Sequence, residues 1–427
     1  MDRQSWRELV CILCLSIATM CLMNGYDTQS FIVEAVLHSV HMREPTRIAK
    51  HAGYYGQAVL YGTYAAATVF APWICLRLGS NWSLLVGSFL FTTYHAGFFM
   101  LNSHFYYLSQ AFNGIGFAYA CFTVYYSGQG LYISEHSTRA TITRNSSLVS
   151  SIGNSSMLLG GFVLFVIFYV SENLTEVFKT AGNVVATNYR NFLDAEIYAI
   201  YGVLLTVTVI SNIIFTIMLT MKARGDKLEP IEKSTLRSQL GHFFNTACEP
   251  KMLLLSFFFI FYGFHVSFWL GAYPTTFAFS KALSSNIYLP AFYSGMVGLG
   301  NIIGTFNVQY GEIVCCILGI LHGMIDCCSC SMRSLICTMA LPRKRLQAYS
   351  LAKLYQSMAS CAAYFLSPHL TVMVWIAILA GSQILSAVGF FVVSREISCE
   401  DPASMDRPTS VQKINPIQDN YIDQYNS

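Results

Sequence analysis

Few side chains in this sequence have both the type and the setting to do chemistry, because so few ionisable residues interrupt its apolar stretches. His322 and Asp326 stand four positions apart, so a helix puts them on one face. A carboxylate beside an imidazole inside a membrane is a candidate proton or solute pair; the competing reading is an interfacial pair facing lipid headgroups. His95 and His265 read as neutral, hydrogen-bonded histidines, and Lys353 falls near the start of its apolar stretch. Cys327-Cys328-Ser329-Cys330 reads as packing or acylation residues at a membrane edge, since a zinc site needs better spacing and histidine support. The sequence holds no Walker loop, nucleophile elbow, metal-spaced histidine pair or dinucleotide fingerprint. No enzyme activity, catalytic residue, cofactor or metal is therefore expected.

The elements that position these residues are helices in a bilayer. Charged residues are 11% of the 427 and hydrophobic residues 54%, against about 25% charged in soluble domains. Mean hydropathy is +0.48. Ile197 to Met221 carries no charge, and about 20 apolar residues cross a bilayer as a helix. Lipid offers the backbone no hydrogen bonds, so such segments are helical. The net charge of +3 is dispersed, which gives nucleic acid no basic stripe to bind. Most of the 14 cysteines sit in apolar runs, as small hydrophobes.

The expected fold is all-α, a polytopic bundle of about eleven helices over 8–24, 53–75, 82–101, 105–127, 147–170, 196–221, 251–273, 286–306, 312–328, 347–367 and 369–394. The chain divides into a six-helix bundle over 1–221, a polar cytoplasmic linker over 222–250, an incomplete second bundle over 251–394 and a disordered tail over 395–427. Arg3 and Arg7 precede an uncleaved first span, because no small-residue cleavage site comes after it. The Lys and Arg bias favours a cytoplasmic N-terminus. The sequon at Asn173 then falls in an outside loop as a glycosylation site, while those at Asn81, Asn145 and Asn154 are expected to be silent. Gly160, Gly161, Gly300 and Gly304 read as close-packing positions between helices.

The second half is one helix short. Residues 331–341 are too few to span, which reads as a helix lost here through a deletion, an alternative splice form or a gene-model error, with a re-entrant segment at 331–341 as the alternative; Arg343-Lys344-Arg345 then falls outside, against the charge rule. Restoring a helix would return that cluster, and the tail, to the cytoplasm.

Two bundles joined by a charged linker resemble the major facilitator plan, whose halves enclose a central cavity. The loop after the second span reads Pro72-Trp73-Ile74-Cys75-Leu76-Arg77-Leu78-Gly79-Ser80-Asn81. Arg77 and Gly79 match that superfamily's gating loop, whereas Leu76, Ser80 and Asn81 replace its acid and paired bases. Further stretches are Asn24-Gly25-Tyr26-Asp27-Thr28-Gln29, Gly56 to Tyr64, Leu78-Gly79 with Ser83-Leu84, Tyr106-Tyr107, Ala111-Phe112-Asn113-Gly114-Ile115-Gly116, and Gly128-Gln129-Gly130-Leu131-Tyr132. In order and spacing they resemble the Unc-ninety-three-like family of ion channel regulatory proteins, most closely its orphan branch. The resemblance implies a non-enzymatic regulator of a potassium channel, or a trafficking partner of membrane receptors. The alternative is a secondary transporter of a small organic solute.

Overall fold

The computed structural model describes residues 3–120, 128–138, 141–179, 192–221, 235–279, 288–303, 312–341 and 344–399. All regular structure among them is helical. The first half comprises α1 (Arg3–Ser30), α2 (Val33–Arg43), α3 (Ala52–Leu78), α4 (Ser80–Ala96), α5 (Ser103–Ala120), α6 (Gly128–His136), α7 (Ile142–Asn154), α8 (Ser156–Lys179) and α9 (Asp194–Met218). The second comprises α10 (Leu236–Ala247), α11 (Pro250–Ser267), α12 (Tyr273–Phe279), α13 (Leu289–Ile303), α14 (Glu312–Ala340), α15 (Arg345–Leu366) and α16 (Val372–Cys399).

Local chemistry sets the boundaries. Pro250 opens α11, where its missing N–H has no helical partner to lose. Glu196 Oε2 accepts the Leu193 N–H at 3.0 Å, which caps α9 and leaves acidic residues at its positive end. Gly79 both ends α3 and opens α4 at φ +82°, a conformation that side chains disfavour. A π-helical turn, Phe268–Ala272, carries α11 into α12.

Side-chain contacts fix helix directions. Tyr26 Oη donates to Gln57 Oε1 at 3.1 Å and Gly53 sits under Glu34, so α3 runs against α1–α2. Tyr55 meets Phe365 and Tyr61 stacks on Tyr364, while Gly62 faces Cys361; α15 thus runs against α3. Gly263 lies on Gln356 and Gly271 on Tyr364, which makes α11 parallel to α15. Tyr262 pairs with Asp326 and His265 with His322, so α14 runs against α11. Gly153 faces Thr19, Gly160 faces Thr28, Gly161 faces Ala291 and Gly298 faces Leu158. Hence α8 runs with α1, and α13 opposes α8. The consecutive helices α13 and α14 point the same way.

The two halves repeat one packing plan. α1 packs on α7, α8 and α9, as α11 packs on α15 and α16; α3 packs on α5, as α13 packs on α14. α4 covers α5 and α9, but among the described residues no helix covers the corresponding flank of α14 and α16. The eight residues 304–311 between α13 and α14 are too few for a spanning helix. The missing helix is therefore the counterpart of α4.

Several expectations change. Residues 331–341 are the last turns of α14, not a re-entrant segment. The cysteine cluster lies inside that helix rather than at its edge. The directions downstream are preserved, because α14 repeats the direction of α13. Lys344 bonds Glu249 at the foot of α11, and Lys251 meets Glu396 at 3.9 Å. The α14–α15 turn and the end of α16 thus lie on the side of the membrane where α1 begins. The linker contains α10, whose Phe243 and Thr246 are buried. Gly128-Gln129-Gly130 opens α6, and 395–399 continue α16. Residues 400–427 lie outside the described residues.

Seven helical stretches among the described residues are long and apolar enough to cross a bilayer. α15 falls below that mark because it carries Lys353, Gln356 and several serines, which face α3 and α11 instead of lipid.

Candidate functional site

The seam between the halves holds a cluster of ionisable side chains. α1 runs six residues beyond the expected end at 24, which carries Asp27 into the bundle. Asp27 accepts the Ser156 hydroxyl at 2.9 Å, and no cation partners it among the described residues. Asp326 of α14 lies within electrostatic reach of it. Asp326 accepts the Tyr262 hydroxyl at 2.6 Å.

Tyrosines and an amide line the same level. Tyr26 donates to Gln57 and lies 3.4 Å from the Tyr61 hydroxyl. Tyr61 stacks on Tyr364 across the seam, with centroids 5.5 Å apart. Gln57 Nε2 and Tyr364 Oη are buried without hydrogen-bond partners. Such atoms are rare in folded proteins and mark places where water or a ligand is expected.

Toward the α1-start side sits a cationic layer. Arg333 lies over the Tyr262 ring at 5.1 Å and donates to Gln356 Oε1 at 2.8 Å. Lys353 donates to the same oxygen at 3.2 Å. All three are buried. Both cations also lie within electrostatic reach of Asp326.

His322 and Asp326 do share a face of α14, but each bonds elsewhere. His322 Nδ1 lies 3.2 Å from His265 Nε2, and a hydrogen bond between two imidazoles needs one N–H and one lone pair. The pair thus shares one proton between those nitrogens. Because α14 extends to Ala340, both residues are mid-helix and face the bundle, not the headgroups. His95 bonds the Phe91 carbonyl at 3.0 Å and stays in the core of the first half.

The remaining expected positions are peripheral. Arg77 is exposed and stacks over Trp73 at 5.0 Å; Gly79 makes the turn beside it. Ser80 donates to Glu135 on α6, so a hydroxyl–carboxylate contact ties α4 down where the gating loop would carry charges. Asn173 lies in α8, which runs to Lys179, rather than in the expected loop. Asn145 is buried and donates to Glu8 at 2.7 Å. At the opposite end of α1, Arg43 and Arg47 hold Asp194 at 2.8 and 3.2 Å. Burial pulls the Arg47 pKa down, but Asp194 outweighs it and the value lies above the ordinary one.

Asp27, Arg333 and Gln356 escape the sequence reading. Asp27 carries a signal, standing three residues past an apolar run within reach of one more helical turn. Arg333 carries none, because it reads as the loop after a shorter helix.

Two six-helix-type halves around a polar seam define the major facilitator class. The structure superposes on the D-xylose-proton symporter with TM-score 0.59 at 13% identity, covering 90% of this chain and 96% of that one. A bacterial homologue of the human drug peptide transporters PepT1 and PepT2 gives 0.58 at 10% identity, with 91% and 99% covered. The nucleoside transporter NupG gives 0.56 at 11%, with 90% and 99% covered. Residues 44–312 and 305–391 match the family described as ion channel regulatory protein UNC-93. The chain belongs to that family. It is 21% identical over 315 residues to the UNC93-like protein MFSD11 of Xenopus tropicalis, and 20% to that of Xenopus laevis. It spans 64% of the length of these relatives. The two family matches meet where α13 adjoins α14. Family and fold are those of transporters and regulators rather than of enzymes.

Proposed function

We propose that this membrane protein is a secondary carrier of a small solute, with its site at the seam between the halves. One observation carries the reading: a carboxylate on each half, Asp27 and Asp326, within electrostatic reach of one another at mid-bundle. Ionisable groups are expensive in a membrane and are retained where they serve a transport path. Rocking of one half against the other separates or joins such a pair, and a proton or cation taken up between them favours the joined state. The Tyr61–Tyr364 stack and the Gly161–Gly295 contact are seam contacts that such motion remakes.

The test is uptake into proteoliposomes, with the solutes of the structural neighbours (xylose, nucleosides, short peptides) as the first panel. Saturable uptake that Asp27→Asn and Asp326→Asn each abolish supports the reading. Uptake equal to that of empty vesicles across the panel and a wider solute set sinks it.

A second reading, regulation of a potassium channel or association with a membrane receptor, is favoured by the uncovered flank. Leu321, Ile325, Cys328 and Met332 form an exposed stripe on α14, and α16 buries far less of itself than its counterpart α9. A helix of a partner protein fits where the counterpart of α4 is missing. Co-expression with a two-pore potassium channel tests it: unchanged current and no co-purification in detergent reject regulation.

A further inference from the structure

One face of α1 carries more buried oxygen than its hydrogen bonds use. Asn24, Asp27 and Thr28 stand at helical spacing, so they share that face. Ser156, the first residue of α8, stands opposite. Its hydroxyl donates to Asp27 Oδ2 at 2.9 Å, and its carbonyl accepts from Asn24 Nδ2 at 2.9 Å. One turn further on, Gly160 lies so close to Thr28 Oγ1 and Asn24 Nδ2 that no Cβ fits there. The four polar residues therefore cluster together.

Two atoms in that cluster are orphaned. Asn24 Oδ1 and Thr28 Oγ1 have no hydrogen-bond partner, and both residues are fully buried at 0% exposure. The Asn24 amide nitrogen is committed to Ser156, which leaves its oxygen facing the cluster as a free acceptor. Asp27 brings a carboxylate that no described cation partners. Asp326, the carboxylate within electrostatic reach of it, is already bonded by Tyr262 and neighboured by Arg333 and Lys353.

The donor set selects the ligand. It offers a carboxylate, an amide oxygen and hydroxyls, with no nitrogen or sulfur ligand, which suits a hard cation. It offers one carboxylate, and no group of three acidic, histidine or cysteine ligands exists among the described residues. One negative charge balances one positive charge. We infer that Asn24, Asp27, Thr28 and Ser156 bind an alkali cation between α1 and α8. Its role as coupling ion rests on the carrier reading above; its binding does not.

The experiment measures binding without transport. Purified full-length protein in detergent is melted in sodium, potassium or choline chloride at fixed pH and ionic strength. A ligand that binds only the folded state raises the melting temperature. Sodium or potassium is expected to raise it by several degrees over choline, and Asp27→Asn and Thr28→Val are each expected to remove the difference. Thr28→Val keeps the shape and the carboxylate, so it carries the test should Asp27→Asn fail to fold. Equal melting in all three salts overturns the inference, as does a shift that survives in Thr28→Val. A shift that tracks pH but not the identity of the cation overturns it too, and assigns Asp27 a proton. A cation-dependent shift without uptake of any solute leaves the site standing and removes the carrier reading.

Discussion

At the residue scale, the seam is a problem of matching charge with hydrogen bonds in a medium that supplies neither. Asp326 is held by the Tyr262 hydroxyl and by the nearby cations of Arg333 and Lys353. Hydrogen bonds to charged groups contribute about 1.5–3 kcal/mol, and an unsatisfied buried charge costs at least as much. Tyr262→Phe is therefore expected to destabilise the protein by about 2 kcal/mol, read as a lower melting temperature in detergent. A change near zero would mean that Asp326 does not depend on that hydroxyl. The notable residues are polar ones that a sequence reader passes over. Gln356 takes hydrogen bonds from two cations, and nothing in its local sequence distinguishes it from a surface glutamine.

At the element scale, glycine decides how closely helices approach. Gly161 lies against the Ala291 carbonyl and the Gly295 backbone where α8 crosses α13. Replacing it with leucine forces those backbones apart, and overpacking of this kind costs about 1–3 kcal/mol. Thermal melting of Gly161→Leu checks this; an unchanged melting temperature would show that the crossing is loose. Gly79 acts through its backbone instead. At φ +82° and ψ +163°, with open space around its Cα, Gly79→Ala meets no clash but takes up backbone strain of about 1–3 kcal/mol. A loss much larger than that would point to a packing role at the turn. The small-residue reading of Gly160, Gly161 and Gly300 holds: each has a neighbouring helix where a Cβ would stand. The period of apolar residues revealed the helices, but their ends are another matter. α1 and α14 both run past the apolar stretch because their polar turns are buried by partners rather than by lipid.

At the scale of the whole molecule, the missing counterpart of α4 does not invert the helices downstream of it. Lys344 and Glu396 share the side of the membrane on which α1 begins, and Arg43 lies on the other. Single cysteines at Arg7, Lys344, Glu396 and Arg43, introduced into a background lacking reactive cysteines, report this with an impermeant thiol reagent in intact cells. Lys344→Cys and Glu396→Cys are expected to label as Arg7→Cys does and opposite to Arg43→Cys. Labelling of Lys344→Cys together with Arg43→Cys would mean that the second half is turned over. The basic cluster around Lys344 then satisfies the charge rule that helix counting alone has it break.

Apolar runs of bilayer length determine by themselves that this chain is an all-helical, multi-pass membrane protein, because lipid forces any such backbone to satisfy its own hydrogen bonds. The order of its motifs is enough to place it among UNC-93-like proteins, and the shortfall of one helix can be counted along the chain. Tertiary structure decided the rest. Which helix is absent, and which way each remaining one points, depends on contacts between segments far apart in sequence. So does the placing of Asp27 within electrostatic reach of Asp326, far along the sequence. Periodicity assigns a residue to a helix face, but only packing decides which helix that face meets.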